Sequence, residues 1–103
     1  MRASIIAFLF ISSTGWAQNN NKAEFKVLDK ASGELLVGAT ISFGNDLGNI
    51  TNVEGIAIID NIPDGRYTIT ISYVGYRAVE IILAFPATRG MQIIELTEGE
   101  ELD

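Results

Sequence analysis

The sequence predicts a small all-β protein, a sandwich of about seven short strands. Three observations carry this reading. First, Arg66–Tyr73 alternates strictly, with Tyr67, Ile69, Ile71 and Tyr73 on one face and Arg66, Thr68, Thr70 and Ser72 on the other. A period of two marks a strand with one buried face, and β-branched and aromatic residues suit that pleated surface. Second, turn signals built from Gly, Pro, Asn and Asp recur about every 8–12 residues, the spacing of sandwich strands. Third, no segment beyond Ala17 carries the roughly 3.6-residue period of a helix.

Taken in order, Met1–Ala17 has the form of a secretory signal peptide. Arg2 supplies the positive n-region, Ile5–Ile11 the apolar run, and Gly15 and Ala17 the small residues before cleavage. A bilayer span needs about 20 apolar residues, and Ser12, Ser13 and Thr14 interrupt this run too early. Residues 18–23 form an Asn-rich polar lead, expected to be loosely held. The sandwich is expected over residues 24–96. Glu24–Asp29 reads as its first strand, with Phe25 and Val27 inward, and Lys30–Glu34 as a turn in which Gly33 can take positive φ. Leu35–Phe43 resumes extended structure, broken at Gly38, with Ile41 and Phe43 sharing a face. Gly44–Asn49 is a loop by composition, Ile50-Thr51 a very short extended piece, and Asn52–Gly55 a turn.

In Ile56–Ile59 both faces are apolar, which leaves the orientation of that strand open. Asp60–Gly65 turns into the alternating strand Arg66–Tyr73, and Val74-Gly75-Tyr76 turns out of it. Arg77–Leu83 alternates again, with Val79, Ile81 and Leu83 inward, and Ala84–Gly90 reads as a loop. Met91–Leu96 is the last strand and the candidate sheet edge, and residues 97–103 are an acidic tail. Two sheets packed about 10 Å apart would share a core of Phe25, Val27, Ile41, Phe43, Ile59, Tyr67, Ile69, Ile71, Val79, Ile81 and Leu83.

Composition narrows the chemistry. The chain of 103 residues has a formal net charge of −6, no histidine and no cysteine. It therefore lacks the common general base, the thiol nucleophile and the usual zinc ligands, so an enzyme is not expected. The acidic balance disfavours nucleic acid, whose phosphates demand clustered Lys and Arg. An exported chain without disulfides points to a bacterial envelope. Asn45, Asp46, Asn49, Asn52 and Glu54 offer oxygen ligands in neighbouring loops, but they match no calcium-loop spacing, and turns use the same residues. No cofactor or metal is expected. Tyr73 and Tyr76 form a possible sugar platform, read first as packing residues. Glu95, Glu98, Glu100, Glu101 and Asp103 make the tail either a solvated, mobile end or a linker.

Four pieces, in order, resemble one family. These are Gly33–Ile41 (GELLVGATI), Thr51–Gly55 (TNVEG), Ile62–Tyr67 (IPDGRY) and Ser72–Tyr76 (SYVGY). They are similar to the motifs of the CarboxypepD_reg-like domain, and the resemblance runs from about Phe25 to Asp103. It implies a seven-stranded transthyretin-like or immunoglobulin-like Greek-key sandwich of the kind found at the N-terminus of TonB-dependent outer-membrane receptors. It makes Gly33, Gly38, Gly55, Pro63, Gly65, Tyr67, Tyr73, Gly75 and Tyr76 structural motif residues, with no catalytic, cofactor or metal residue. The family usually has an aromatic where this chain has Ala57, so other side chains must fill that part of the core. Glu100–Asp103 resembles the lead-in to a TonB-contacting segment, after which the sequence stops; a free-standing domain or a truncated receptor is expected. The implied role is a non-catalytic accessory domain in the periplasm or at the outer membrane of a Gram-negative bacterium. Its expected partner is an envelope protein, a receptor barrel or an energy-transducing complex. A surface carbohydrate-binding or adhesion module is the alternative, and a transthyretin-like hydrolase a weaker one for want of histidine.

Overall fold

The structure is a computed structural model and describes residues 20–44 and 46–99. The signal-peptide reading, Asn45 and residues 100–103 lie outside the described residues. The described chain forms strands β1 (Asn21–Asp29), β2 (Thr40–Ser42), β3 (Gly48–Ile50), β4 (Ile56–Ile62), β5 (Gly65–Ser72), β6 (Val79–Phe85) and β7 (Met91–Leu96), with no helix among them. They make a three-stranded sheet in the order β4-β1-β7 and a four-stranded sheet in the order β3-β2-β5-β6. This is the transthyretin-like, immunoglobulin-like sandwich that the resemblance implied.

The central strand of the smaller sheet is β1, where Ala23, Phe25, Val27 and Asp29 alternate into the interior. It runs antiparallel to β4 and parallel to β7. β1 starts inside the lead expected to be loose. The Asn21 side chain donates to the Ile62 carbonyl at 2.7 Å and to Asp64 Oδ1 at 2.9 Å, and Ala23 is buried, so the chain is held from Asn21 onward.

The expected strand Leu35–Phe43 divides between the two sheets. Leu35 bridges Leu28 in the small sheet, whereas Thr40–Ser42 pairs with β3 and β5 in the large one. A single straight strand cannot serve both layers, and the chain crosses between them at Gly38, whose φ is +93°. β3 begins at Gly48, within the expected loop, because Gly48–Ile50 completes a short ladder with β2.

β4 resolves the ambiguous isoleucines: Ala57 and Ile59 are buried, while Ile58 faces out. It also runs three residues further than expected. Asn21 pairs with Ile62 but Ala23 pairs with Ile59, so β4 carries one extra residue, a β-bulge. Asn61 occupies it with φ +58°, a conformation Asn tolerates better than most residues, and Ile62 returns to the core. The expected turn Asp60–Gly65 thereby shrinks to Pro63 and Asp64.

β5 ends at Ser72, so Tyr73 lies just beyond the strand assigned to it. β6 continues to Phe85, paired with Gly65, and Phe85 is buried where a loop was expected. Conversely, Tyr67, Val79, Ile81 and Leu83 are only partly buried and pack against the core rather than within it. β6 is the outer strand of its sheet, and an outer strand is covered from one side only. The core gains Leu36, Ala39, Ile62, Ile94 and Leu96. Ala57 sits directly opposite Phe25. The volume its small side chain leaves lies beside Phe25, whose ring meets Phe43 edge-on at 6.2 Å, and Phe43 in turn contacts Tyr67 and Phe85. Each large side chain removed from water here contributes about 1.5–3 kcal/mol.

Candidate functional site

The two ends of the sandwich are pinned by different tyrosines. At the start of β5, the Tyr67 hydroxyl donates to the Pro63 carbonyl at 2.8 Å while its ring packs on Phe43 and Phe85. This is the arrangement of a tyrosine corner, a tyrosine bonded back to backbone a few residues upstream at the passage between sheets. Pro63, Gly65 and Tyr67 of the third motif piece thus form one structural unit.

At the other end, where β1, β5 and β7 finish, Asp29 and Tyr76 meet. The Tyr76 hydroxyl donates to Asp29 Oδ2 at 2.5 Å, while Asp29 Oδ1 accepts the backbone amides of Ala31 at 2.7 Å and Ser32 at 3.0 Å. Asp29 is 8% exposed, and these three donors satisfy its carboxylate. The Tyr76 hydroxyl, followed by the Ser32 amide, holds the Asp29 carboxyl below its usual range. The Asp29 carboxylate in turn pushes the Tyr76 phenol up to about 12. Near neutral pH the acid stays ionised and the phenol stays protonated, so the pair is a lock between the sheets and not an acid–base couple.

The residues after β7 close this end. Tyr76 and Glu98 form a bridge, the Arg77 amide donates to the Thr97 carbonyl at 3.0 Å, and the Gly99 amide to the Gly75 carbonyl at 2.9 Å. Thr97–Gly99 are therefore pinned, which corrects the expectation of a mobile acidic end for that part of the tail.

Tyr73 stands beside this lock, its ring 5.5 Å from that of Tyr76. Together they border a hollow of about 650 Å³ that also involves Gly38, Thr40, Ser72 and Val74. A second hollow of about 440 Å³ lies along β2 and β3 and shares Thr40 with the first. Of the remaining motif residues, Gly33 lies in the turn after β1, where its amide donates to the Asp29 carbonyl at 2.8 Å. Gly55 closes the turn before β4, buried against Leu35 and the Val27 carbonyl, and its own carbonyl accepts the Val27 amide at 2.9 Å. The structure therefore gathers Gly38, Tyr73, Gly75 and Tyr76 at one end and Pro63, Gly65 and Tyr67 at the other.

Two of the candidate calcium ligands, Asn49 and Asn52, have side chains bonded to neighbouring backbone. Asn52 Oδ1 accepts the amides of Glu54 and Ile56 at 2.8 and 3.1 Å. Asn49 Oδ1 accepts the Ile50 amide, and its Nδ2 donates to the Ile58 carbonyl at 2.9 Å. Among the described residues, no three His, Cys, Asp or Glu side chains gather as a metal site.

The side-chain roles of Asp29 and Thr51 were not read from the sequence. Thr51 is buried; its hydroxyl donates to the Leu36 carbonyl at 2.6 Å and accepts the Ala39 amide at 2.8 Å. An acid followed by Lys-Ala-Ser carries a legible signal for a side-chain-capped turn. The Tyr76 partner, 47 residues further on, carries none.

A family model for the CarboxypepD_reg-like domain matches residues 26–103. Among solved structures, the crystal structure of group B streptococcus pilus 2b backbone protein superposes with a TM-score of 0.54 at 17% identity. The match covers 77% of this chain and 41% of that one, so this chain spans less than half of that protein's length. A likeness at that identity concerns the fold alone. A comparison with curated proteins returned no match.

Proposed function

The chain belongs to the CarboxypepD_reg-like domain family, and on that footing we propose that it is a non-catalytic accessory domain that offers a sheet edge to a protein partner. The observation that carries this reading is the contrast between the two edges of the small sheet. The β4 edge is engaged at one point, where the Asn49 side chain of β3 bonds the Ile58 carbonyl. The β7 edge is the outer strand on the other side, and its Met91 and Ile93 are 40% and 54% exposed. Met91–Leu96 has no lysine, proline or bulge, the devices that normally guard an edge against pairing. An extended segment with apolar residues at alternate positions can add to such a strand through main-chain hydrogen bonds.

The proposed setting is the bacterial cell envelope, in the periplasm or at the outer membrane. The signal-peptide form of Met1–Ala17 and the absence of cysteine support it. Within that setting the partner is a receptor barrel or energy-transducing complex, as for the N-terminal extension of a TonB-dependent receptor. A photo-crosslinking residue placed at Ile93 in cells should trap a discrete envelope protein, and one at Asp60 on the β4 edge should not. Equal labelling from both positions, or none from Ile93, would reject the edge as the working surface.

A further inference from the structure

We propose that the outer face of the four-stranded sheet, bounded by Tyr73, binds a neutral glycan. The two hollows both have Thr40 in their lining and so lie next to each other on that face. Thr40 pairs with Ser72 and Ser42 with Thr70, so hydroxyls stand opposite one another on two adjacent strands. The intervening Ile41, Ile69 and Ile71 are buried, which turns all four hydroxyl residues outward.

Charge and backbone topology select the ligand class. The chain is acidic overall, yet the groove lining contains no Lys or Arg and a single carboxylate, Asp46, at its far end. An anionic ligand would find one cation, Arg77, whose guanidinium lies against Gly99 at one end of the lining, and a cationic one would find only Asp46 at the other. β2 and β5 each have a neighbour on both sides, so their backbone groups are committed to the sheet. Along β2 and β5 a peptide strand therefore has no main-chain ladder to join, and hydroxyl side chains are left there as donors and acceptors. A hydroxyl-rich neutral chain matches that inventory, and volumes of this size suit a small number of sugar units.

Tyr73 supplies the apolar contact. Its ring lies at 59° to that of Tyr76, which Asp29 holds in place, and it borders Gly38, where even a Cβ would come within 3.9 Å of the ring edge. Among the described residues its hydroxyl makes no hydrogen bond to the protein. A ring held by packing with a free polar tip can stack on a sugar and bond it at once.

The test is an NMR titration of the protein with maltohexaose, cellohexaose and xylohexaose at millimolar concentration, beside tetragalacturonate and an unstructured peptide. Saturable shifts at Thr40, Ser42, Thr70 and Ser72 with one of the neutral sugars are expected, and Tyr73→Ala should weaken that binding about tenfold. Because Tyr73 also packs on Tyr76, Ser72→Glu is the second variant. It places a charge in the groove, leaves the core untouched, and should abolish binding. Ile93→Lys should bind the sugar unchanged, which separates this site from the β7 edge. No saturable shift with any neutral sugar, or preference for the acidic sugar or the peptide, would overturn the proposal.

Discussion

Thr51 shows how much one buried hydroxyl can organise. It donates to Leu36 and accepts from Ala39, while its backbone exchanges bonds with Gly38 and Ala39. The crossing from the small sheet to the large one is thus held by a residue outside both. Thr51→Val keeps the shape but strands a buried carbonyl and a buried amide. It should lower unfolding free energy by about 1–3 kcal/mol in urea melts; a loss near zero would mean that the crossing holds itself. The Asp29–Tyr76 bond makes a prediction in pH. The folded carboxyl lies below 3.8, so its contribution is present above that value and disappears as pH falls through the folded one. The phenol, raised from 10.0 to about 12, contributes fully below 10 and loses its contribution as pH rises through about 12. Tyr76→Phe should therefore lower Tm across the neutral range and move the acid limb to higher pH. An unchanged acid limb would mean that the Ala31 and Ser32 amides alone set the carboxyl. Thr51 and Tyr76 both stood in recognisable motif pieces, but their partners lie 12 to 47 residues away, and local patterns carry no such pairing.

Among the elements, alternation identified the interiors of strands well and their ends poorly. β1 and β5 were legible because one face is apolar and the other polar. β4 was not, because Ile56 and Ile58 make its outer face apolar too and its bulge at Asn61 hides the extension to Ile62. Phe85 was missed because its burial depends on pairing with Gly65. The Leu35–Phe43 run looked like one strand because sheet membership is decided by partners that lie elsewhere in the chain. Turns were more legible than strand ends, and two glycines separate the reasons. Gly55 has φ +72°, and an added Cβ would meet Leu35 and the Val27 carbonyl at 3.2 Å. Gly75 has φ +88° but open space around it. Gly55→Ala should therefore cost more than Gly75→Ala, each by at least about 0.4–1 kcal/mol from backbone strain, as read by thermal melts. Equal losses would show that contacts at Gly55 relax freely. β7 has a dynamic signature of its own: amides facing away from β1 should exchange rapidly while alternate ones are protected. Uniform protection in a monomer would mean that the edge is already covered.

In the whole molecule, two layers are joined at opposite ends by tyrosines on and just after β5. Tyr67 ties the start of β5 to Pro63, in the passage between sheets, and Tyr76 ties the turn after β5 to Asp29 on β1. The length of β5 separates them, roughly 3.3 Å per residue over most of nine residues, and their contacts share no partner. The Tyr67 bond is exposed, so water replaces it readily, whereas the Tyr76 bond satisfies a carboxylate that is almost wholly buried. Tyr67→Phe should accordingly destabilise less than Tyr76→Phe. The double variant should lose the sum of the two, since distant sites without common partners act independently. Urea unfolding of all four proteins checks this directly. If the double variant loses clearly more than the sum, the two ends are coupled through the sheets. In that case the sugar groove beside Tyr76 should also respond to Tyr67→Phe, and if the ends are independent that variant should leave sugar binding untouched.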